Sequence, residues 1–318
     1  MREAAFVKQN KEKWMAFEKA MGNTSKINPD HLADLYIQLT NDLAFAQTYY
    51  KDSKTLLYLN SLASQAHQNI YANKKESGNK IFRFYLKEFP LFFAQHQTTL
   101  LYAFLIFMAA VFVGTISSLY DDSYVRLILS DGYVNMTLEN IKDGNPTGVY
   151  QKDGAMNMFL RITLNNIQVG MYCFAAGLLT TVGVGYILFQ NGVMVGAFFT
   201  MFYLENVGIE SWSVIMLHGT IELSIIVVCG AAGMVMGNSI LFPKTYARRL
   251  SFINGAKNGL KIVISTVPLF IVAGFIEGFV TRYAFMPAVL KYSIVLMSAI
   301  IILGYYVYYP LYLKKQYE

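Results

Sequence analysis

Five stretches of this chain carry no Lys, Arg, Asp or Glu: residues 89–120, 162–204, 223–243, 262–276 and 292–313. About 18 apolar residues are enough to cross a bilayer as a helix, and several of the stretches exceed that. With 55% hydrophobic and only 14% charged residues, the chain lies far from the roughly 25% charge of soluble domains. It reads as an all-α, polytopic membrane protein. The net charge of +6 is then a matter of membrane topology and is not a nucleic-acid signal. The first thirty residues are studded with Lys and Glu and hold no apolar core of a signal peptide. Cys173 and Cys229 fall in apolar spans, so they read as small core residues and imply no disulfide.

The organisation changes near residue 90. Residues 1–90 carry thirteen Lys/Arg and nine Asp/Glu and read as a cytoplasmic helical domain. Apolar residues recur at helical spacing in three segments: Phe6, Trp14, Phe17 and Met21; Leu32, Leu35, Tyr36, Leu39, Leu43 and Ala46; Leu56, Leu59, Leu62, Ala63, Ala66 and Ile70. Gly22-Asn23 stops the first helix and Asn28-Pro29 starts the second. Three such stripes can bury one another as a small bundle. His31 and His67 have no clustered ligand partners and read as surface or packing residues. Lys74, Lys75, Lys80, Arg83 and Lys87 then form a basic juxtamembrane run, the mark of a cytoplasmic, lipid-facing edge.

Residues 91–318 read as a transmembrane domain with about six spans: 97–119, 166–189, 191–207, 212–242, 262–283 and 292–309. A near-uncharged corner at Gln190-Asn191-Gly192 separates the second span from a short third one. Residues 120–158 hold six acidic and three basic residues, with turn signals at Asp131-Gly132 and Gly144-Asn145-Pro146, and read as extracytoplasmic. Lys244, Arg248 and Arg249 mark a cytoplasmic, interfacial elbow over 244–261. Alternating loop charge places both termini in the cytoplasm.

Within this topology, His218 and Glu222 are the only charge-bearing side chains between Ser213 and Phe242. Burying a charge in lipid costs roughly 2.5–3.5 kcal/mol on insertion scales, so such residues mark a candidate site. Their i, i+4 spacing puts both on one helix face. At a rise of about 1.5 Å per residue they lie about 9 and 15 Å below the outer surface. Glu277 on the fifth span and Asn165 and Asn166 on the second reach the same depth, so all five converge in the outer half of the membrane. Three readings stay open: a hydrogen-bonded lock, a proton or solute pathway, and a polar docking face. In the lock, Glu277 is held by a backbone donor or by Arg282. His-Gly-x-x-Glu supplies one His and one Glu, not the His-Glu-x-x-His of a zinc protease, and no metal or cofactor is expected. Gly170, Gly177, Gly185, Gly219, Gly230, Gly233, Gly237, Gly274 and Gly278 are spaced for close helix approach, which also permits a homodimer.

These features together resemble the stage II sporulation protein M family. The resemblance is carried by His218-Gly219-x-x-Glu222-Leu223 with the later glycines, Asn191-Gly192, Asn165-Asn166 and Ile276-Glu277-Gly278-Phe279. Asp42-Leu43-Ala44, Leu59-Asn60-x-Leu62 and Ala66-His67-x-x-Ile70-Tyr71 are similar to the longer, non-sporulation branch. The resemblance covers nearly the whole chain except residues 120–158. It implies an integral protein of the bacterial inner membrane. In spore formers the family member gathers peptidoglycan-degrading enzymes at the septum. Longer relatives are often encoded beside an RDD-type membrane protein, a MoxR-type ATPase and von Willebrand-like domain proteins. No enzymatic activity is carried over.

The expected function is therefore a non-enzymatic scaffold of a cell-envelope complex. Its expected partners are membrane lipids and envelope proteins, among them a MoxR-type ATPase system or peptidoglycan-remodelling enzymes. The alternatives are a transporter component with a proton- or substrate-sensitive site at His218, Glu222 and Glu277, and, more weakly, an intramembrane hydrolase.

Overall fold

The computed structural model describes residues 2–21, 29–72, 80–146, 148, 154–281 and 286–317. The chain forms two compact units, Met1–Lys80 and Ile81–Glu318. Among the described residues there is helix and no strand.

The first unit consists of α1 (Glu3–Met21), α2 (Pro29–Tyr49) and α3 (Lys54–Ala72). Its core is built from the apolar stripes, with Phe6, Trp14, Phe17, Leu39, Leu59 and Leu62 buried. The Trp14 indole would be costly to bury without an acceptor, and it donates to Asp42 Oδ2 at 2.9 Å. His67 is exposed on α3. Gly22, Asn23, Asn28, Lys74 and Lys75 lie outside the described residues, as do the side chains of His31, Leu32 and Ile70.

In the second unit, helical turns from Ile81 to His96 lead into α4 (Gln97–Tyr120). Two short helices follow, α5 (Asp122–Leu129) and α6 (Asp131–Lys142), and then α7 (Ala155–Ala175), α8 (Thr180–Leu204) and α9 (Gly208–Leu241). Next comes α10 (Arg248–Phe275), which runs on as a π-helical turn at Ile276–Val280. Last is α11 (Ala288–Leu303), continued through a π turn at Gly304–Tyr308 into α12 (Tyr309–Tyr317).

Five helical runs are long and apolar enough to cross a membrane: Lys80–Tyr120, Ala155–Leu204, Gly208–Leu241, Arg248–Val280 and Ala288–Tyr317. The second run is two legs. Asn166 of α7 meets Glu222 of α9, and further along both helices the Cys173 and Phe174 carbonyls face Gly233. These two legs therefore run parallel. On α8 the order reverses: Thr181 lies at Gly237, Leu188 at Gly230, and Met201 with Phe202 packs near Ile215. So α8 runs antiparallel to α9 and back along the membrane from α7. The described residues thus form six legs of alternating direction.

This corrects the expected borders of the second and third spans. The chain turns at Ala176–Leu179, a single 3-10 turn closed by Thr180 at φ 67°, whereas Gln190, Asn191 and Gly192 lie inside α8. Asn191 is satisfied within its own helix, its amide donating to Ile187 O at 2.8 Å. Gly192 is small because Phe107 and Ala110 of α4 press against it. The elbow over 244–261 is corrected as well. Only 242–247 lies between helices, and α10 continues from Arg248 because Ser251, Gly255 and Gly259 turn inward while Arg248, Arg249, Lys257 and Lys261 point out. Lys80, Arg83, Lys87 and Lys244 are exposed too. Asp131-Gly132 opens α6, and the bend it signals falls one residue earlier, at Ser130 with φ 73°.

Proline explains how the two ends of this unit are tied together. A proline lacks the N–H that would bond the carbonyl four residues earlier, and a carbonyl left unsatisfied in lipid costs several kcal/mol. Three prolines occur within these runs, and each freed carbonyl has a donor from another helix. Pro90 frees Leu86 O, which accepts from the Tyr309 hydroxyl at 2.7 Å. Pro268 frees Ile264 O, which accepts from the Tyr85 hydroxyl at 3.0 Å. Pro310 frees Tyr306 O, which accepts from Gln97 Nε2 at 2.8 Å. The first and last legs therefore meet at the same end, and residues 81–96 belong to this unit.

Candidate functional site

The site is assembled from α7, α9 and the π turn after α10. His218 and Glu222 lie one turn apart on α9, with His218 buried and Glu222 half-buried. Glu277 is buried on the π turn. A π turn widens the helix by one residue and is frequently found at functional positions; here it aims Glu277 at α9. His218 Nε2 lies 3.8 Å from Glu277 Oε2. One ligand atom from each of His218, Glu222 and Glu277 falls within 4.8 Å of the others.

Polar neighbours orient the three. His218 Nδ1 lies 3.1 Å from Thr281 Oγ1, and Thr281 Oγ1 gives its proton to Ile276 O at 3.2 Å. Thr281 thus engages Nδ1 and leaves Nε2 as the ring nitrogen that faces Glu277. Asn166 Nδ2 donates to Glu222 Oε1 in a short hydrogen bond. Asn165 is exposed and does not join the cluster, but its amide donates to Asn166 Oδ1 at 3.5 Å. Arg161, one turn before Asn165 on α7, adds its positive field at Glu277. Arg282, expected to hold Glu277, lies outside the described residues.

The cluster opens on a cavity of about 370 Å³ whose wall includes His218, Gly219, Glu222, Phe198, Phe199 and Tyr133. Tyr133 comes from α6, which with α5 forms a cap over the ends of α8 and α9. Asp121 fixes the start of the cap by accepting from Ser123 N at 2.9 Å. The Ser123 hydroxyl and amide hold the Asp121 carboxyl below the usual carboxylate range. Val125 and Val134 seat the cap on Met201, Phe202 and Ile215. Burial holds the Tyr133 phenol above its ordinary value, with a smaller push from Glu277. It therefore enters the cavity as a neutral hydroxyl.

On the opposite side of the cluster the bundle is closed by backbone-to-backbone approach. Space for a Cβ is lacking at Gly233, where the Cys173 carbonyl intervenes, and at Gly237, where the Thr181 amide does. Gly230 sits against Leu188, Gly170 against Cys229 and Phe270, and Gly278 against Phe159. Two expected packing glycines differ. Gly185 has nothing within 4 Å, and Gly219 has only side chains at 3.6 Å and beyond. Gly219 instead leaves room in the cavity beside His218.

Sequence reasoning missed Thr281 and Tyr133. Thr281 had a readable signal: it follows Glu277 by four residues, the same spacing that joins His218 to Glu222. Tyr133 had none, because its place depends on how the cap folds back.

Six apolar legs around a His–Glu–Glu cluster define a multi-pass α-helical membrane protein. The family model described as Stage II sporulation protein M matches residues 103–282, more than half of the chain, and the chain belongs to that family. The matched region contains every residue of the cluster. A second model, Domain of unknown function (DUF8413), matches residues 4–72, the three helices of the first unit. No curated protein and no solved structure matches the chain.

Proposed function

We propose that the protein is a non-enzymatic scaffold of a bacterial cell-envelope complex, set in the inner membrane with its N-terminal unit in the cytoplasm. In this reading its polar cluster receives a small ion from the capped side. The observation that carries this reading is the one-sidedness of the cluster. His218 and Glu222 line the cavity beneath the cap, while Gly230, Gly233 and Gly237 close the other half of α9 against its neighbours. A site reached from one side suits a component whose assembly depends on what it binds, more than a through-going path. The exposed Arg83, Lys87, Arg248 and Arg249 at the opposite end fit the anionic cytoplasmic leaflet.

Affinity purification of the full chain from native membranes tests this. Envelope proteins or an ATPase should be recovered in stoichiometric amounts, and fewer of them with Glu222→Gln. A protein that emerges alone under mild detergent refutes the scaffold.

A transporter component is the second reading, favoured by three ionisable side chains beside a cavity, since ionisable groups within the membrane mark many ion and proton paths. Reconstituted vesicles should then show flux that Glu222→Gln abolishes, and absence of flux in the wild type ends that reading.

A further inference from the structure

We infer that His218, Glu222 and Glu277 form a binding site for one divalent transition-metal cation of the zinc class. The inference rests on the reading above that the cluster receives an ion, and it names that ion's chemistry.

Four observations lead there independently of the family. The first is the direction of the imidazole. Thr281 Oγ1 engages His218 Nδ1 at 3.1 Å, which leaves Nε2 as the ring nitrogen that faces Glu277 Oε2 at 3.8 Å. Nε2 and the carboxyl thus face a common point from two helices. The second is the spacing. Zinc–nitrogen and zinc–oxygen bonds of about 2.0–2.2 Å put tetrahedral ligand atoms about 3.3–3.5 Å apart. The three ligand atoms already lie within 4.8 Å of one another, and small rotations of the two Glu side chains close the difference.

The third observation is charge. Two carboxyl groups and an imidazole converge in an apolar interior, and a divalent cation offsets the charge of both carboxylates once they bind it in their deprotonated form. The fourth is support and access. Metal-bound His and carboxylate side chains are oriented by outer hydrogen bonds, the part played here by Thr281 on His218 and Asn166 on Glu222. The cavity of about 370 Å³ offers a way in and room for a water as fourth ligand. The mixed nitrogen and oxygen donors select against magnesium and calcium, which prefer all-oxygen shells.

The test uses the full chain in detergent, stripped with a chelator and titrated with Co2+ as a spectroscopic stand-in and with Zn2+ as competitor. One Co2+ per chain should bind with the intense visible bands of a four- or five-coordinate site bearing imidazole. Zn2+ should displace it stoichiometrically, and Mg2+ in large excess should not. His218→Ala should abolish those bands, and Thr281→Val or Asn166→Leu should weaken affinity by roughly 10–100-fold. The proposal is overturned by a weak octahedral spectrum without imidazole, by equal uptake in His218→Ala, or by displacement with Mg2+. The wild-type spectrum alone decides the matter if a variant misfolds. Partner recovery is scored separately. Absence of metal binding by the wild-type chain with partners recovered overturns this inference only, whereas metal binding by a protein without partners overturns only the scaffold.

Discussion

Replacing Gly233 with alanine tests the packing that closes one side of the site. A Cβ there would overlap the Cys173 carbonyl oxygen of α7, and it would come within 2.9 Å of Val184 Cγ2 on α8. The carbonyl belongs to helix backbone and cannot swing away, so α7 and α9 must part by about 1 Å to restore ordinary contacts of about 3.5 Å. Overpacking of this kind costs about 1–3 kcal/mol. Alanine also favours helix over glycine by about 1 kcal/mol, which would mask part of the loss in a single measurement. Gly185→Ala on α8 is the matched control: it gains the same propensity and meets nothing within 4 Å. The difference between the two variants therefore isolates the overpacking, and Gly233→Ala should be the less stable by about 1–3 kcal/mol. Equilibrium unfolding of the full chain in mixed micelles measures it. Equal stability of the two variants, or a larger loss in Gly185→Ala, refutes the close approach of α7 to α9.

Other expectations follow from the same geometry. Gln97→Leu leaves Tyr306 O, and Tyr85→Phe leaves Ile264 O, without the donor that replaces proline's missing N–H; each should cost about 1–3 kcal/mol, read by thermal unfolding in detergent. A cysteine placed at Gln190 lies inside α8 and should resist a membrane-impermeant maleimide, whereas a corner at 190–192 would leave it readily labelled. Cys173 and Cys229 are both buried and should label only after unfolding, with prompt labelling of the native protein contradicting the packed interior. Trp14→Phe removes the hydrogen bond to Asp42 and should speed amide exchange in α1, α2 and α3 by about 2- to 12-fold, corresponding to about 0.5–1.5 kcal/mol.

Much of the architecture is legible in the order of residues, for identifiable reasons. Long uncharged stretches can only be helices in lipid, and the stripes of residues 1–72 pair because each has one apolar face. His218, Glu222, Glu277 and Asn166 meet because helical rise and alternating direction set their depth. What escapes is whatever depends on a neighbour. Asn191-Gly192 has the composition of a corner, yet Asn191 is satisfied within its own helix and Gly192 answers α4. The actual turn passes through Gly177, Leu178, Leu179 and Thr180, with no polar or charged side chain before Thr180 to announce it. The basic residues of 248–261 look interfacial until their spacing is compared with that of Ser251, Gly255 and Gly259. The cap over the cavity rests on contacts between Val134 and Met201 or Ile215, which no local pattern encodes.

The prolines also constrain how the chain is made. Leu86 emerges from the ribosome 223 residues before Tyr309, and Gln97 waits 209 residues for the Tyr306 carbonyl it serves. The first leg thus enters the bilayer with a carbonyl that only the final leg can answer. Assembly therefore includes a closing step, and a chain cut short before residue 309 would be left with an unanswered carbonyl in the earliest segment of this unit. Membrane quality control, which recognises polar groups stranded in lipid, could tell a finished chain from an unfinished one by that defect alone.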